Sequence, residues 1–352
     1  MSMFMWGPLV ISDKLNVTIN SYSLSQEFSI IYVDNPVGTG FSYTNDSNGY
    51  CKDQQTIAQN LYEFIQQFYI VFDDYRSNDL YIGGQSYAGK YVPSFGHYLI
   101  QMSHISKLNF KGILVGNGWT DPINQISYDK TLLSLGLIDE NEAKEVKQLQ
   151  QNIKNCTKSK DYRKAFEWEE QLLTSIEKPS YLTNTTGYQQ FYDIHQSEDI
   201  KGFINVDQYL TQKSVRNAIH VGDVVYNLSS SVVMKYMEED IYKTAEPNLT
   251  AIIDSGSKVL LFTGNFDIIV GIESTNGLLF NKNWKYYNDY NKAKRNIWRV
   301  NANDTQIAGY EKSFDNFSHV IVRNAGHCSM LDQPRATLDM ANRFIKSIPF
   351  GQ

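Results

Sequence analysis

The sequence predicts an α/β fold: a mostly parallel sheet with helices on both faces and a helical cap inserted near the middle of the chain. Three observations predict it. Short apolar runs rich in β-formers alternate with longer stretches whose apolar residues recur at helical spacing. A serine sits on a glycine-rich turn between such a run and such a stretch. A long polar, helix-like segment then separates two blocks of strand-type sequence.

The opening reads as sheet. Ser29 to Val33 is a β-rich run that stops at a Gly/Pro loop, Asp34-Asn35-Pro36-Val37-Gly38-Thr39-Gly40. Thr56 to Phe72 reads as a helix, because Ile57, Leu61, Phe64, Ile65 and Phe68 recur at its period. Leu80-Tyr81-Ile82 is a strand, Tyr87 to Met102 a helix, and Ile113-Leu114-Val115 a strand ending at Gly116-Asn117-Gly118. From Thr120 to about Glu246 the chain is polar and without buried-strand runs, so 120–246 is expected to be the cap. Residues 1–119 and 247–352 are then the two parts of the core. Lys258 to Phe262 and Val320-Ile321-Val322 return to buried strands. A final helix starts near Asp332 or Gln333, with Pro334 suited to its first turn, and Leu338, Met340, Ala341, Phe344 and Ile345 form its apolar side.

The chemistry starts at Ser86, in Gly83-Gly84-Gln85-Ser86-Tyr87-Ala88-Gly89. A serine on a sharp strand-to-helix turn holds its hydroxyl clear of the sheet, and small neighbours let a carbonyl approach. An alcohol is a poor nucleophile at its own pKa and needs a base, itself oriented by a third group. Asp267 follows the Lys258–Phe262 run and His327 follows Val320–Val322. Ligands of open α/β sheets gather at such strand ends. The order Ser, Asp, His is that of α/β-hydrolases. Each residue alone has a plainer reading: Ser86 as a turn residue, Asp267 as a cap, His327 as a loop histidine. Three strand-end residues in the right order outweigh those readings. His97, His104, His195, His220 and His319 carry no comparable pattern.

Composition excludes other classes. The chain has 352 residues and a net charge of −6, which argues against a nucleic-acid surface. The densest basic stretch, Lys292 to Arg299, reads as a solvated helix face. No H-E-x-x-H or Cys/His cluster suggests a metal, and Gly38-Thr39-Gly40 lacks the third glycine of a dinucleotide site, so no cofactor is expected. Three cysteines, Cys51, Cys156 and Cys328, form no disulfide framework. No apolar run approaches the roughly 18 residues of a membrane span. No signal peptide is visible in Met1 to Ile11. Asn-X-Ser/Thr sites begin at Asn16, Asn45, Asn155, Asn184, Asn227, Asn248, Asn303 and Asn316, which points to the secretory pathway: lysosome, vacuole or exterior.

Four segments carry a family resemblance: Asp34 to Tyr43, Ser86-Tyr87-Ala88-Gly89-Lys90-Tyr91-Val92-Pro93, Gly116-Asn117-Gly118 and His327 to Pro334. They resemble the serine carboxypeptidases, and Asn265 to Val270 and Ala308-Gly309-Tyr310 look most like the vitellogenic-like branch. The resemblance runs from about Gly7 to Phe344. It implies an α/β-hydrolase core with a helical insertion and removal of one residue from a peptide's free carboxyl end. It also implies Ser86, Asp267 and His327 as the triad and the Tyr87 amide as one oxyanion donor. The family's Asn-Gly-Gly-Pro-Gly segment, which should supply the second donor, does not occur in the chain. Of the family's two acids near the substrate carboxylate, one position holds Gln85 and the other Met5. A truncated, nearly inactive form is the expectation that follows. Two other classes stay open: an esterase or acyltransferase on the same scaffold, and a non-catalytic binding protein. Oligomeric state is not legible.

Overall fold

The computed structural model describes residues 6–173, 179–198, 201–280 and 284–351, with backbone alone at 201–204. Near its start β1 (Leu9–Ile11) pairs antiparallel with β2 (Val17–Ile19). The main sheet is built from β3 (Leu80–Gln85), β4 (Phe110–Gly116), β5 (Lys258–Gly264), β6 (Arg295–Trp298), β7 (Gly309–Phe314) and β8 (Phe317–Val322). Their spatial order is β3-β4-β5-β8-β7-β6. β3, β4, β5 and β8 run parallel, while β7 and β6 fold back antiparallel as an outer meander.

Strand alternation makes two apolar faces, as the period of two requires. Leu260, Phe262, Val320 and Val322 meet Met340, Ala341 and Phe344 of the last helix, Pro334–Lys346. On the other face Ile113, Val115, Val259 and Leu261 meet Val92 of the helix Ala88–Gln101 and Leu249 and Ile252 of the helix Glu246–Asp254. Parallel strands covered on both sides read as continuous apolar runs, which is why β4, β5 and β8 stand out in the sequence. The helix Gln54–Val71 packs Ala58, Tyr62, Ile65 and Tyr69 against Phe95 and Leu99.

Among the described residues, 120–246 adds no strand to this sheet. Its longest helix, Glu140–Lys158, opens on a capping box in which Asp139 and Glu142 satisfy each other's backbone amides. Val146, Leu149 and Ile153 recur at three- and four-residue spacing and bury against Ala165 and Leu172 of the next helix, Tyr162–Leu172. The segment thus has an apolar core of its own. Ile268, the neighbour of Asp267, plugs into it.

Two sequence expectations are corrected. Ser29–Val33 is not a strand: among the described residues no partner strand pairs with it, and Ile31, Tyr32 and Val33 each remain about two-fifths exposed. Extended residues without a ladder have no sheet to join. Lys292–Arg299 is not a helix face. The helix Tyr287–Lys292 ends there, and Arg295–Trp298 becomes the edge strand β6, alternating exposed Ile297 with fully buried Trp298.

Candidate active site

Ser86 follows the last residue of β3, Gln85, and the helix Ala88–Gln101 begins two residues later. Its φ of 62° lies in the left-handed region, a strained conformation for a residue with a Cβ. Three backbone bonds hold it there. Ser86 N–H donates to Gly116 O at 3.0 Å, and Ser86 O accepts from Gly89 N–H at 2.8 Å and Trp119 N–H at 2.9 Å. The turn can close this tightly because residue 89 is glycine: a Cβ there would lie 2.5 Å from Trp119 N. Among the described residues no acceptor takes the Tyr87 amide, which leaves the N–H after the nucleophile open.

Asp267 lies three residues past β5 and is buried. Its two oxygens have separate duties. Oδ1 accepts from the amides of Ile269 (2.8 Å) and Val270 (3.1 Å) and so closes the turn that follows, while the next helix is capped by Gly271. Oδ2 faces His327 Nδ1 at 2.7 Å and also accepts from Asn117 Nδ2 at 2.5 Å. His327, 4% exposed, hangs from a loop after β8 that the insertion grips: its N–H donates to Tyr192 O at 2.6 Å. The Tyr192 ring lies 5.1 Å from the imidazole. A Cβ on Gly326 would come within 2.5 Å of the same Tyr192 carbonyl.

Asp267 and His327 are therefore joined directly. Ser86 lies one residue from the Gln85 side chain, whose Nε2 donates to His327 O, but Ser86 Oγ makes no bond to the histidine. His327 Nε2 is buried and has no partner. The imidazole is thus held at Nδ1 by a carboxylate, with its Nε2 left without a partner. Gln85 spends its two amide hydrogens on His327 O and on Cys328 Sγ (3.7 Å), while its Oε1 is buried and unpaired. Met5 lies outside the described residues.

Sequence reasoning missed four contributors. Asn117 is fully buried and holds Asp267, with its Oδ1 accepting from Gly264 N–H at 3.4 Å. Its signal was an amide between two glycines directly after a strand. Asp332 accepts from Gly326 N–H at 2.8 Å, and burial lifts its carboxyl to about 6, with Asp193 adding to the rise. Lys90, fully buried, donates to the carbonyls of Asp240 and Lys243, which ties the helix Ala88–Gln101 to the insertion. Burial pulls its ammonium down to about 7, Lys243 adding to the fall while Asp240 and Asp121 oppose it. Buried Asp240 takes the Tyr87 hydroxyl at 3.1 Å and the amide of Gln54. Nothing short of the fold announces those pairings. Among the described residues there is no cluster of three metal-ligating side chains.

Comparison with known proteins adds the lineage. A family model described as serine carboxypeptidase matches residues 2–347. A probable serine carboxypeptidase, CPVL, of Homo sapiens is 36% identical over 347 residues, covering 96% of this chain and 72% of that one. The vitellogenic carboxypeptidase of Aedes aegypti is 34% identical over 342 residues, again 96% of this chain and 72% of its own. The crystal structure of Kex1(delta)p, a prohormone-processing carboxypeptidase from Saccharomyces cerevisiae, superposes with a TM-score of 0.85. That match is 20% identical and covers 98% of this chain and 80% of the other. At that identity the likeness establishes the α/β-hydrolase fold.

Proposed function

The chain belongs to the serine carboxypeptidase family, and from that premise we propose that it releases C-terminal residues from peptides through a Ser86 acyl-enzyme. Ser86 Oγ attacks the scissile carbonyl and His327 Nε2 takes its proton. Asp267 holds the imidazole in the tautomer with Nδ1 protonated and steadies the imidazolium that forms. The Tyr87 amide donates to the developing oxyanion. The protonated His327 then hands its proton to the leaving amine, and water repeats the sequence on the acyl-enzyme. The observation that carries this reading is the 2.7 Å contact of His327 Nδ1 with buried Asp267, together with the buried, unpartnered Nε2.

Residues 120–246 are assigned as the cap over this centre, and a peptide's free C-terminus as the substrate. Gln85 is assigned to the neighbourhood of the substrate carboxylate, which it can reach with a donor by releasing His327 O or Cys328 Sγ. A secretory route is proposed from the eight Asn-X-Ser/Thr sites. No described helix is long and apolar enough to cross a membrane.

Fluorophosphonate labelling followed by peptide mapping tests the nucleophile. Ser86 should carry the adduct, and Ser86→Ala should lower kcat on a blocked dipeptide by roughly 10⁴-fold or more. Equal turnover by the variant would remove the assignment. Comparing a free-carboxylate peptide with its amide and ester separates peptidase from esterase or acyltransferase chemistry.

A second reading, a retained fold with weak or absent turnover, is favoured by the lack of a Ser86 Oγ bond to Nε2 among the described residues. A folded protein that fails to react with the fluorophosphonate would select it.

A further inference from the structure

We propose a second site on this protein: a pocket for a phosphate group, built by Arg295, Lys312 and His319 on the outer strands of the sheet and separate from the Ser86–His327 centre. Strand register brings the three together. Arg295 on β6 pairs with Lys312 on β7, and Lys312 pairs with His319 on β8. Residues directly opposite across strands point to the same face, so the three side chains form one row.

That row lines a cavity of about 150 Å³. Asn276 of the helix Ile272–Leu279 and Tyr290 and Asn291 of the helix Tyr287–Lys292 complete the wall. Three features point to a ligand. His319 is 6% exposed, and its Nε2 is buried with no partner. The Arg295 guanidinium lies 3.6 Å from the Tyr310 ring centroid and, among the described residues, gives no N–H to any acceptor. Among the described residues Lys312 Nζ bonds to Asn291 O at 3.0 Å and to no other acceptor, which leaves two hydrogens. Of the three, only the His319 ring is buried, and a buried ring nitrogen normally finds a partner. Arg295 is exposed and Lys312 half-buried at the mouth, so an anion entering there would meet both cations and the unpartnered nitrogen.

Charge agrees. Facing His319 are Arg295 from β6, Lys312 and Tyr310 from β7, and Tyr290 from the helix above it. Burial raises the Tyr290 phenol, which stays a neutral donor. Glu311 also borders the pocket and its charge reaches the Tyr290 phenol, but strand alternation turns its side chain to the opposite face, where it accepts from Asn296 Nδ2 at 2.9 Å. Burial first, then Arg295 and Lys312, hold the His319 imidazole down at about 4. A bound phosphate dianion would reverse that repulsion and draw a proton onto the ring. A planar fork, a point charge and a ring nitrogen arriving from three strands suit a tetrahedral set of oxygens. The volume leaves room for a small ester group beyond the phosphate.

The test is a titration of the folded protein with inorganic phosphate and, separately, methyl phosphate, read by calorimetry and by histidine-ring NMR. Binding with a Kd below about 1 mM is expected, with the His319 titration moved up by more than about one pH unit. The Arg295→Ala/Lys312→Ala double variant should bind at least about tenfold more weakly while its fluorophosphonate labelling at Ser86 is unchanged. Tighter binding of methyl phosphate identifies an ester as the ligand, and preference for inorganic phosphate identifies the free ion. A His319 titration unmoved by either compound, or the same affinity in the double variant, overturns the proposal. The labelling readout depends on Ser86 alone, so failure of this site and failure of the peptidase reading are separable.

Discussion

Asp267 divides its carboxylate between local and distant partners, and that division is where residue-scale reasoning succeeded and stopped. Its Oδ1 caps the Ile269–Val270 turn, a short-range pattern legible in Gly264-Asn265-Phe266-Asp267. Its Oδ2 serves His327 and Asn117, partners that only the fold brings near. Ser86 and His327 were legible because a glycine-framed turn and a strand-end histidine leave marks in local sequence. Asn117 left only its flanking glycines. Asn117→Ala should therefore lower kcat about tenfold or more with KM little changed, since the lost donor orients the carboxylate rather than the substrate. Steady-state kinetics checks that split. Asp332 supplies a pH prediction. Its folded pKa, near 6, exceeds its unfolded value, so its stabilising contribution is full below the unfolded pKa and is lost as pH rises through about 6. Asp332→Asn keeps an acceptor for Gly326 N–H and removes the charge. Thermal melts should find the variant more stable than the parent at pH 7.5, with that gain gone at pH 4. Gln85→Glu should bind peptide more weakly as pH rises toward neutrality, because an ionised carboxylate repels the substrate's own. KM against pH for both proteins decides it.

At the scale of elements, β3, β4, β5 and β8 were legible, and β6 and β7 were not. The first group is covered on one or both faces and so has apolar runs. The outer pair mixes charge with apolar residues, as in Arg295-Asn296-Ile297-Trp298, and charge runs of that kind resemble a solvated helix. Ser29–Val33 erred in the other direction, because β-propensity without a partner strand makes no sheet. The helix Ala88–Gln101 was predicted to within a residue, yet its main tie was invisible: Lys90 buried against two carbonyls of the insertion. The pH consequence follows from linkage. Between about 7 and the ordinary lysine range the unfolded chain holds a proton that folded Lys90 has released. Stability therefore rises with pH across that window. Lys90→Met should flatten this rise, which denaturant midpoints at pH 7 and 9.5 would measure. A variant with the parent's slope would mean that Lys90 stays charged in the fold.

For the whole molecule, the sequence announced a core interrupted by a polar segment but not how firmly the two are joined. Ile268 leaves the Asp267 loop to enter the core of the 120–246 helices, and Tyr192 reaches back to hold the His327 loop. Composition cannot signal such joints, since both residues are ordinary apolar or aromatic ones. Ile268→Ala should cost roughly 2–5 kcal/mol by opening a cavity in that core. The same change should reduce kcat by loosening the carboxylate beside it. Urea unfolding measured with kinetics on the same preparation would test the coupling: a destabilised variant with undiminished kcat would refute it.

Tyr192 ties the 120–246 segment to the loop that carries the imidazole, so if that segment roofs the centre as proposed, lifting it should shift the ring too. A bulky substrate that prised the roof upward would carry the base away from the hydroxyl it must deprotonate. Slender, unstructured tails should slip beneath without that disturbance. Selectivity for frayed chain ends over compact surfaces would then arise from self-disarming, with no pocket needed to reject the larger guest.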